Sequence, residues 1–284
     1  MLKKLINRIT LRRSRLKFLY NGTWVKYVFQ FHATERNLGP DEVYITISNP
    51  WIKTLTLTSG IFNRPFGNEI SYSSTYLESD ERSLVTRTLF PDEKDLGIQL
   101  TFHPKQKSSF NFLYFDAGIF NGTGPVKEDF DDRKNFMGHL YSRKAFLNER
   151  MEAGLGVSWF KGGFSNQLNL HFEWDKGFVP VINDTLALSE QNIKGIDAQF
   201  SVKWSLGKTS LRFEYLVGKQ AGSYENSKTP NIAPADRNKV PLPSFHRTCE
   251  GGYLILFKLC PKLKFSLFLN TIGTTRIPKS PGKA

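Results

Sequence analysis

Apolar and polar residues alternate one by one along most of this chain, the period of a β-strand with two different faces. Leu16, Phe18 and Tyr20 share one face of the first such run. After Asn21-Gly22-Thr23, Tyr27, Phe29, Phe31 and Ala33 alternate with Val28, Gln30, His32 and Thr34. Val43, Ile45 and Ile47 alternate with Glu42, Tyr44 and Thr46, and Leu55 and Leu57 with Thr54, Thr56 and Thr58. The pattern resumes with Leu96, Ile98, Leu100 and Phe102 against Gly97, Gln99, Thr101 and His103, then Phe110, Phe112 and Tyr114. Residues 140–147 and 153–160 form a further pair. The clearest hairpin is 197–217. Ala198, Phe200, Val202, Trp204 and Leu206 oppose Gln199, Ser201, Lys203 and Ser205, and Leu211, Phe213, Tyr215 and Val217 oppose Ser210, Arg212 and Glu214. Another strand is expected from Gly252 to Lys258.

The connections divide into two kinds. Asn21–Thr23, Ser48–Pro50, Pro104–Ser108, Asn148–Arg150 and Gly207–Lys208 are tight. Asn63–Asp95, Asn121–Gly138 and Gly218–Gly251 are long, polar and rich in turn residues. Tight turns at one end and long loops at the other are expected of an antiparallel transmembrane β-barrel. Residues 167–174 also alternate, but a spanning strand there would move the later long loops to the wrong end. They are therefore placed in an external excursion over 161–194, leaving about eleven spanning strands. Trp24, Tyr27, Trp51, Trp159, Trp174 and Trp204 lie near strand ends, as interface girdles do.

Composition agrees with this all-β reading. The chain is 39% hydrophobic and 14% aromatic, with 24 Phe and 10 Tyr, and no apolar run is long enough for a transmembrane helix. Barrel strands keep mean hydropathy low because half of their side chains face water. The formal net charge of +13 suggests an anionic partner: nucleic acid, acidic lipid or an anionic solute. The basic residues are scattered and no nucleic-acid motif accompanies them, so no nucleic acid is expected.

No catalytic constellation emerges, and neither an enzyme nor a cofactor is expected. His32, His103, His139, His171 and His246 have no metal-ligand spacing, and the acidic run Glu128, Asp129, Asp131, Asp132 lacks the pattern of a calcium loop. Gly122-Thr123-Gly124-Pro125 reads as a loop tip, and Cys249 and Cys260 as incidental thiols.

The most distinctive stretch is Gly60-Ile61-Phe62-Asn63-Arg64-Pro65-Phe66-Gly67, then Ser79-Asp80-Glu81-Arg82-Ser83, then Phe90-Pro91-Asp92-Glu93-Lys94-Asp95-Leu96-Gly97. Phe115-Asp116-Ala117-Gly118-Ile119-Phe120-Asn121-Gly122 and Gly251-Gly252-Tyr253 follow. Together these segments resemble the phosphate-selective porin O and P family, in its porin-like branch. The resemblance runs from about Arg12 to Lys258. It implies an outer-membrane barrel, usually a homotrimer, that passes small hydrophilic or anionic solutes by diffusion. It also implies that residues 63–95 fold into the lumen and narrow it. Fixed cations in a narrow pore replace the hydration an anion loses, provided release stays fast. Arg64, Arg82 and Arg87 on that loop, and Lys203 and Arg212 on polar strand faces, are the candidate cations. An equally open reading makes each Arg a structural partner of Glu69, Glu78, Asp80 or Glu81.

The ends depart from the family pattern. Residues 1–11 form a basic start, and Arg12, Arg13, Arg15 and Lys17 come after it before any adequate apolar stretch, so it does not read as a signal peptide. Residues 12–258 form the porin-like region, and 259–284 an atypical tail. Permissible codons for residues 270–279, shifted by one nucleotide, read Lys-Tyr-Asp-Trp-Tyr-Asp-Pro-Asn-Thr-Lys. The tail is therefore expected to be out of frame, and the chain to be a piece of a barrel. Two rivals remain: a soluble basic β-protein that binds nucleic acid or an acidic partner, and a barrel with no open channel.

Overall fold

The computed structural model describes residues 14–272, apart from 36–37, 52–53, 73–80, 105–106, 130, 184–187, 206, 224–226 and 261–264, with side chains no further than residue 259. The basic start, the end of the tail, and Glu78 and Asp80 lie outside the described residues.

The chain is all-β, built on one fourteen-stranded sheet. Its strands are β1 (Ser14–Asn21), β2 (Val25–Ala33), β3 (Leu38–Ser48), β4 (Leu55–Asn63), β5 (Lys94–Phe102), β6 (Leu113–Phe120), β7 (Asn135–Phe146), β8 (Met151–Ser165), β9 (Leu170–Trp174), β10 (Phe178–Ile182), β11 (Leu188–Trp204), β12 (Gly207–Gly222), β13 (Ser244–Cys260) and β14 (Phe265–Ile272). Each long strand pairs antiparallel with the next, and β8 passes directly to β11. The β9–β10 hairpin stands outside this run. Its β9 pairs parallel with β13 over Ser244–His246 only. Residues 167–174 thus belong to an excursion, but a shorter one than expected: β8 continues to Ser165 and β11 begins at Leu188.

Other boundaries also move. Phe110 and Phe112 lie in the turn before β6, because Asn111 and Leu113 bond back to Ser108 and Phe110. β12 runs on to Gly222 and β13 starts at Ser244, so that long connection shrinks at both ends. Among the described residues twelve strands, not eleven, remain when β9 and β10 are set aside. The sheet curls but does not close: among the described residues β1 and β14 each have one unpaired edge.

The turns follow from the residues that form them. Leu147, Asn148 and Glu149 all take positive φ (49°, 54° and 62°), which reverses the chain between β7 and β8. Gly60 lies within β4 at φ 130°, and a Cβ there would stand 2.2 Å from the Val43 carbonyl oxygen. Only glycine allows the two backbones to approach this closely where the sheet bends.

Alternation places two different chemistries on the two faces. On the convex side, Leu16, Phe18 and Tyr20 of β1 sit opposite Phe31, Phe29 and Tyr27 of β2. Leu96, Ile98, Leu100, Leu155, Val157, Ile196, Phe200, Leu211, Phe213, Val217, Leu254 and Leu256 continue this exposed apolar surface. On β11 it runs from Ile196 to Trp204, and the outward positions before it are Glu190, Asn192 and Lys194. Nine residues is about the length of strand that crosses a bilayer core at a tilt of about 45°. Trp24, Tyr27, Trp51 and Trp204 are exposed near the tight-turn end, whereas Trp159 is outward within β8. Trp174 is an exception to the expected girdle, since it sits on β9 with its ring against Phe178.

The concave face is polar where strands meet the interior without cover. It carries Gln99, Thr101 and Asp116 in a hydrogen-bonded group, and His139 bonded to Asp197 at 2.8 Å. Lys94 of β5 reaches across to Asp41 and Glu42 of β3, and Lys17 of β1 also meets Glu42. Part of the connection between β4 and β5 packs into the concavity. It holds two short helices, α1 (Gly67–Ser71) and α2 (Leu84–Leu89), which strand periodicity did not predict. Phe66, Ile70, Val85, Leu89 and Phe90 form one apolar core with Phe62, Phe120, Met137, Phe160, Ile193, Leu216, Cys249, Tyr253 and Ile255 from the strands. One segment touching inward residues from β4 round to β13 shows that the sheet wraps about it.

Candidate functional site

The inward segment is held by polar groups at three levels. Backbone N–H groups at the start of α1 point at strand side chains. Gly67 N–H donates to Ser158 Oγ of β8 at 2.8 Å, and Glu69 N–H to Glu214 Oε2 of β12 at 3.2 Å. Asn68 Nδ2 donates to Asp197 Oδ1 at 2.7 Å, and Tyr253 Oη donates to the same Glu214 oxygen at 2.7 Å. Alternation puts Ser158, Asp197 and Glu214 on the concave face of three adjacent strands, where they form one platform. Gly67 is required there: its φ is 57° and an added Cβ would meet Glu214 Oε1 at 2.0 Å.

A second clasp joins α1 to α2. Ser83 caps α2 by accepting from Thr86 N–H at 3.3 Å. The buried Glu69 carboxylate accepts from Ser83 N–H at 2.7 Å, Ser83 Oγ at 2.6 Å and Thr86 Oγ1. A buried carboxylate saturated by donors in this way fixes the helix pair as a unit. At the third level, Thr229 N–H donates to the Thr88 carbonyl at 2.9 Å, and Asn231 bonds to Asp92, so the connection between β12 and β13 also lies on the segment.

The candidate cations do not converge. Arg64 is buried, donates to the Asp92 carbonyl, and stacks over the Phe90 ring at 5.3 Å. Burial pushes its guanidinium below its ordinary value, and Asp95, Asp92 and Glu93 oppose that shift. Arg82 pairs with Glu93 and donates to the Tyr72 carbonyl at 2.9 Å. Arg87 is exposed and pairs with Glu81 at 3.2 Å. These three serve the segment's own fold, with Glu93 and backbone carbonyls as partners that the sequence reading did not name.

Lys203 and Arg212 lie elsewhere, on concave-facing positions toward the tight-turn end. Arg212 lies over the Tyr72 ring at 4.6 Å. Lys203 faces Lys208 directly across the β11–β12 ladder. Arg143, paired with Glu152, lines a small recess with Gln199, Ser201, Lys208, Ser210 and Arg212. Lys208 and Arg143 were missed because each was read as part of a turn or strand in isolation. The register of four neighbouring strands, β7, β8, β11 and β12, was needed to bring them together.

On the opposite, convex side lies an apolar hollow of about 730 Å³, lined by Leu57, Leu96, Ile98, Leu100, Ile119 and Trp159 among others. Ala117, opposite Leu100 on the same outward face, is the small side chain beneath it. No helix among the described residues is long and apolar enough to cross a membrane, which says nothing about strands. Comparison with protein-family models finds no match, and comparison with curated proteins finds none either.

Proposed function

We propose that this chain is a porin-type protein of the Gram-negative outer membrane and not an enzyme. Small hydrophilic solutes, anions among them, diffuse along its polar concave face past the inward segment. The kinship to the phosphate-selective porin O and P family is part of this proposal and rests on residues 60–67, 90–97, 115–122 and 251–253.

The observation that carries the reading is the inversion of the two faces. Aromatic and aliphatic side chains cover the convex surface, while charged and hydroxyl side chains lie within the curl. In water that distribution would leave an apolar patch far larger than the few hundred Å² of ordinary soluble proteins. In a bilayer the same surface needs no further cover. The cross-strand Lys203–Lys208 pair favours anions, because two ammonium groups facing one another are unfavourable until a negative charge lies between them.

A working pore also needs closed edges, since unpaired backbone groups in hydrocarbon cost several kcal/mol each. β1 and β14 run in opposite directions, so antiparallel pairing of these two edges is permitted.

Planar-bilayer recording on the full chain refolded in detergent tests the proposal. Discrete conductance steps are expected, with heat-modifiable mobility on a gel. A chain that dissolves and stays monodisperse without amphiphile, and gives no steps, refutes it.

A further inference from the structure

The excursion between β8 and β11 meets β13 at a cluster of titratable side chains. β9 places His171 and Glu173 two residues apart on one face. The short parallel pairing sets Ser244 beside His171 and His246 beside Glu173. One ring nitrogen of each histidine and one Glu173 oxygen then lie within 4.8 Å of one another. The imidazole rings stack at 4.5 Å between centroids, and His171 Nε2 is 3.5 Å from Glu173 Oε1. His171 is only 5% exposed, yet its Nδ1 has no hydrogen-bond partner. A buried polar nitrogen without a partner is destabilising, so this imidazole nitrogen calls for a reason.

We propose that His171, Glu173 and His246 form a three-ligand site for Zn²⁺ or a similar borderline divalent cation. Two imidazoles and one carboxylate, with a fourth position open to water, are a ligand set that suits Zn²⁺. Bonds of about 2.0–2.2 Å to a tetrahedral ion require ligand atoms somewhat closer than 4.8 Å. Glu173 is exposed, so its side chain is free to rotate toward the ion. His246 already has support behind it: its Nε2 lies 3.1 Å from Ser189 Oγ and 3.3 Å from Ser244 Oγ, and Ser189 bonds in turn to Asn166 at 2.8 Å. On the other side of the same pairing Phe172 stacks on Phe245 at 4.8 Å. The parallel ladder joins only three residue pairs, so a cation would clasp the β9–β10 hairpin to β13 far more firmly than the ladder does alone.

The test uses the full chain in detergent, stripped with a chelator and titrated calorimetrically with ZnCl₂. One saturable equivalent is expected. Glu173→Gln, at an exposed position, should weaken binding at least tenfold, and His246→Ala should abolish it. His103→Ala, near the tight-turn end, should leave it unchanged. Zinc should also slow proteolysis within residues 166–187 in the parent chain and not in Glu173→Gln. No saturable uptake by the parent, or parent-like affinity in both Glu173→Gln and His246→Ala, overturns the proposal.

Discussion

Phe200 lies at the centre of the apolar run of β11, four residues from both Ile196 and Trp204. Its side chain faces outward, 40% exposed, with Ala153 of β8 and Leu211 of β12 opposite it. If that surface contacts lipid, position 200 is near the bilayer midplane, where an Arg costs about 2–4 kcal/mol. Phe200→Ala removes the same ring packing without adding charge. The difference between Phe200→Arg and Phe200→Ala therefore isolates the cost of charge in lipid. Ser201→Arg supplies the internal control, since Ser201 faces inward beside Glu152 and Ser210. Urea unfolding of protein refolded in lipid vesicles, followed by tryptophan fluorescence, measures all three. Phe200→Arg should fall below Phe200→Ala by about 2 kcal/mol or more, and Ser201→Arg should cost less than Phe200→Arg. An Arg at 200 as stable as an Ala, or equal losses at 200 and 201, would refute the assignment of faces.

Three further outcomes follow from the concave side. Gly67→Ala should unseat α1 from Glu214, raising single-channel conductance and opening residues 64–93 to trypsin; unchanged current and digestion would mean that the segment does not limit the path. Ser83→Ala removes the cap of α2 and the hydroxyl donor to Glu69, so urea unfolding should show a loss of about 1–3 kcal/mol, whereas Ser205→Ala, at an exposed turn position, serves as the reference. Reversing both Lys203 and Lys208 to Glu should shift the zero-current potential in a KCl gradient toward cation preference, and no shift would remove these lysines from the path.

Strand alternation made the sheet legible, because each strand meets two unlike environments and the residue period is a strict two. The 197–217 hairpin is the best case: Gln199 and Ser201 against Phe200 and Val202 fix both faces before any register is known. Long-range pairing was not legible. His171 and His246 lie on strands that meet in parallel across the excursion, and nothing local marks that meeting. The inward helices were missed for a similar reason. Five- and six-residue helices carry too little periodicity, and only the Ser83 cap with Thr86 three residues on gave a local sign. The arginine partners were legible only in part: Glu81 beside Arg87 was among the acids named, whereas Glu93 and the Asp92 and Tyr72 carbonyls carry no local sign in the side-chain pattern.

The near-sequential order of the sheet also bears on how the chain assembles. Almost every strand pairs with the one made just before it, and the links at one end are all brief. Closing a short hairpin takes about 1–10 μs and surrenders little chain entropy, so pairing can zip outward from those bends. The pairing that reaches furthest along the chain is β9 with β13, which joins His171 to Ser244. Docking of the β9–β10 hairpin on β13 therefore waits for the strands between them, and it is the natural late step of assembly.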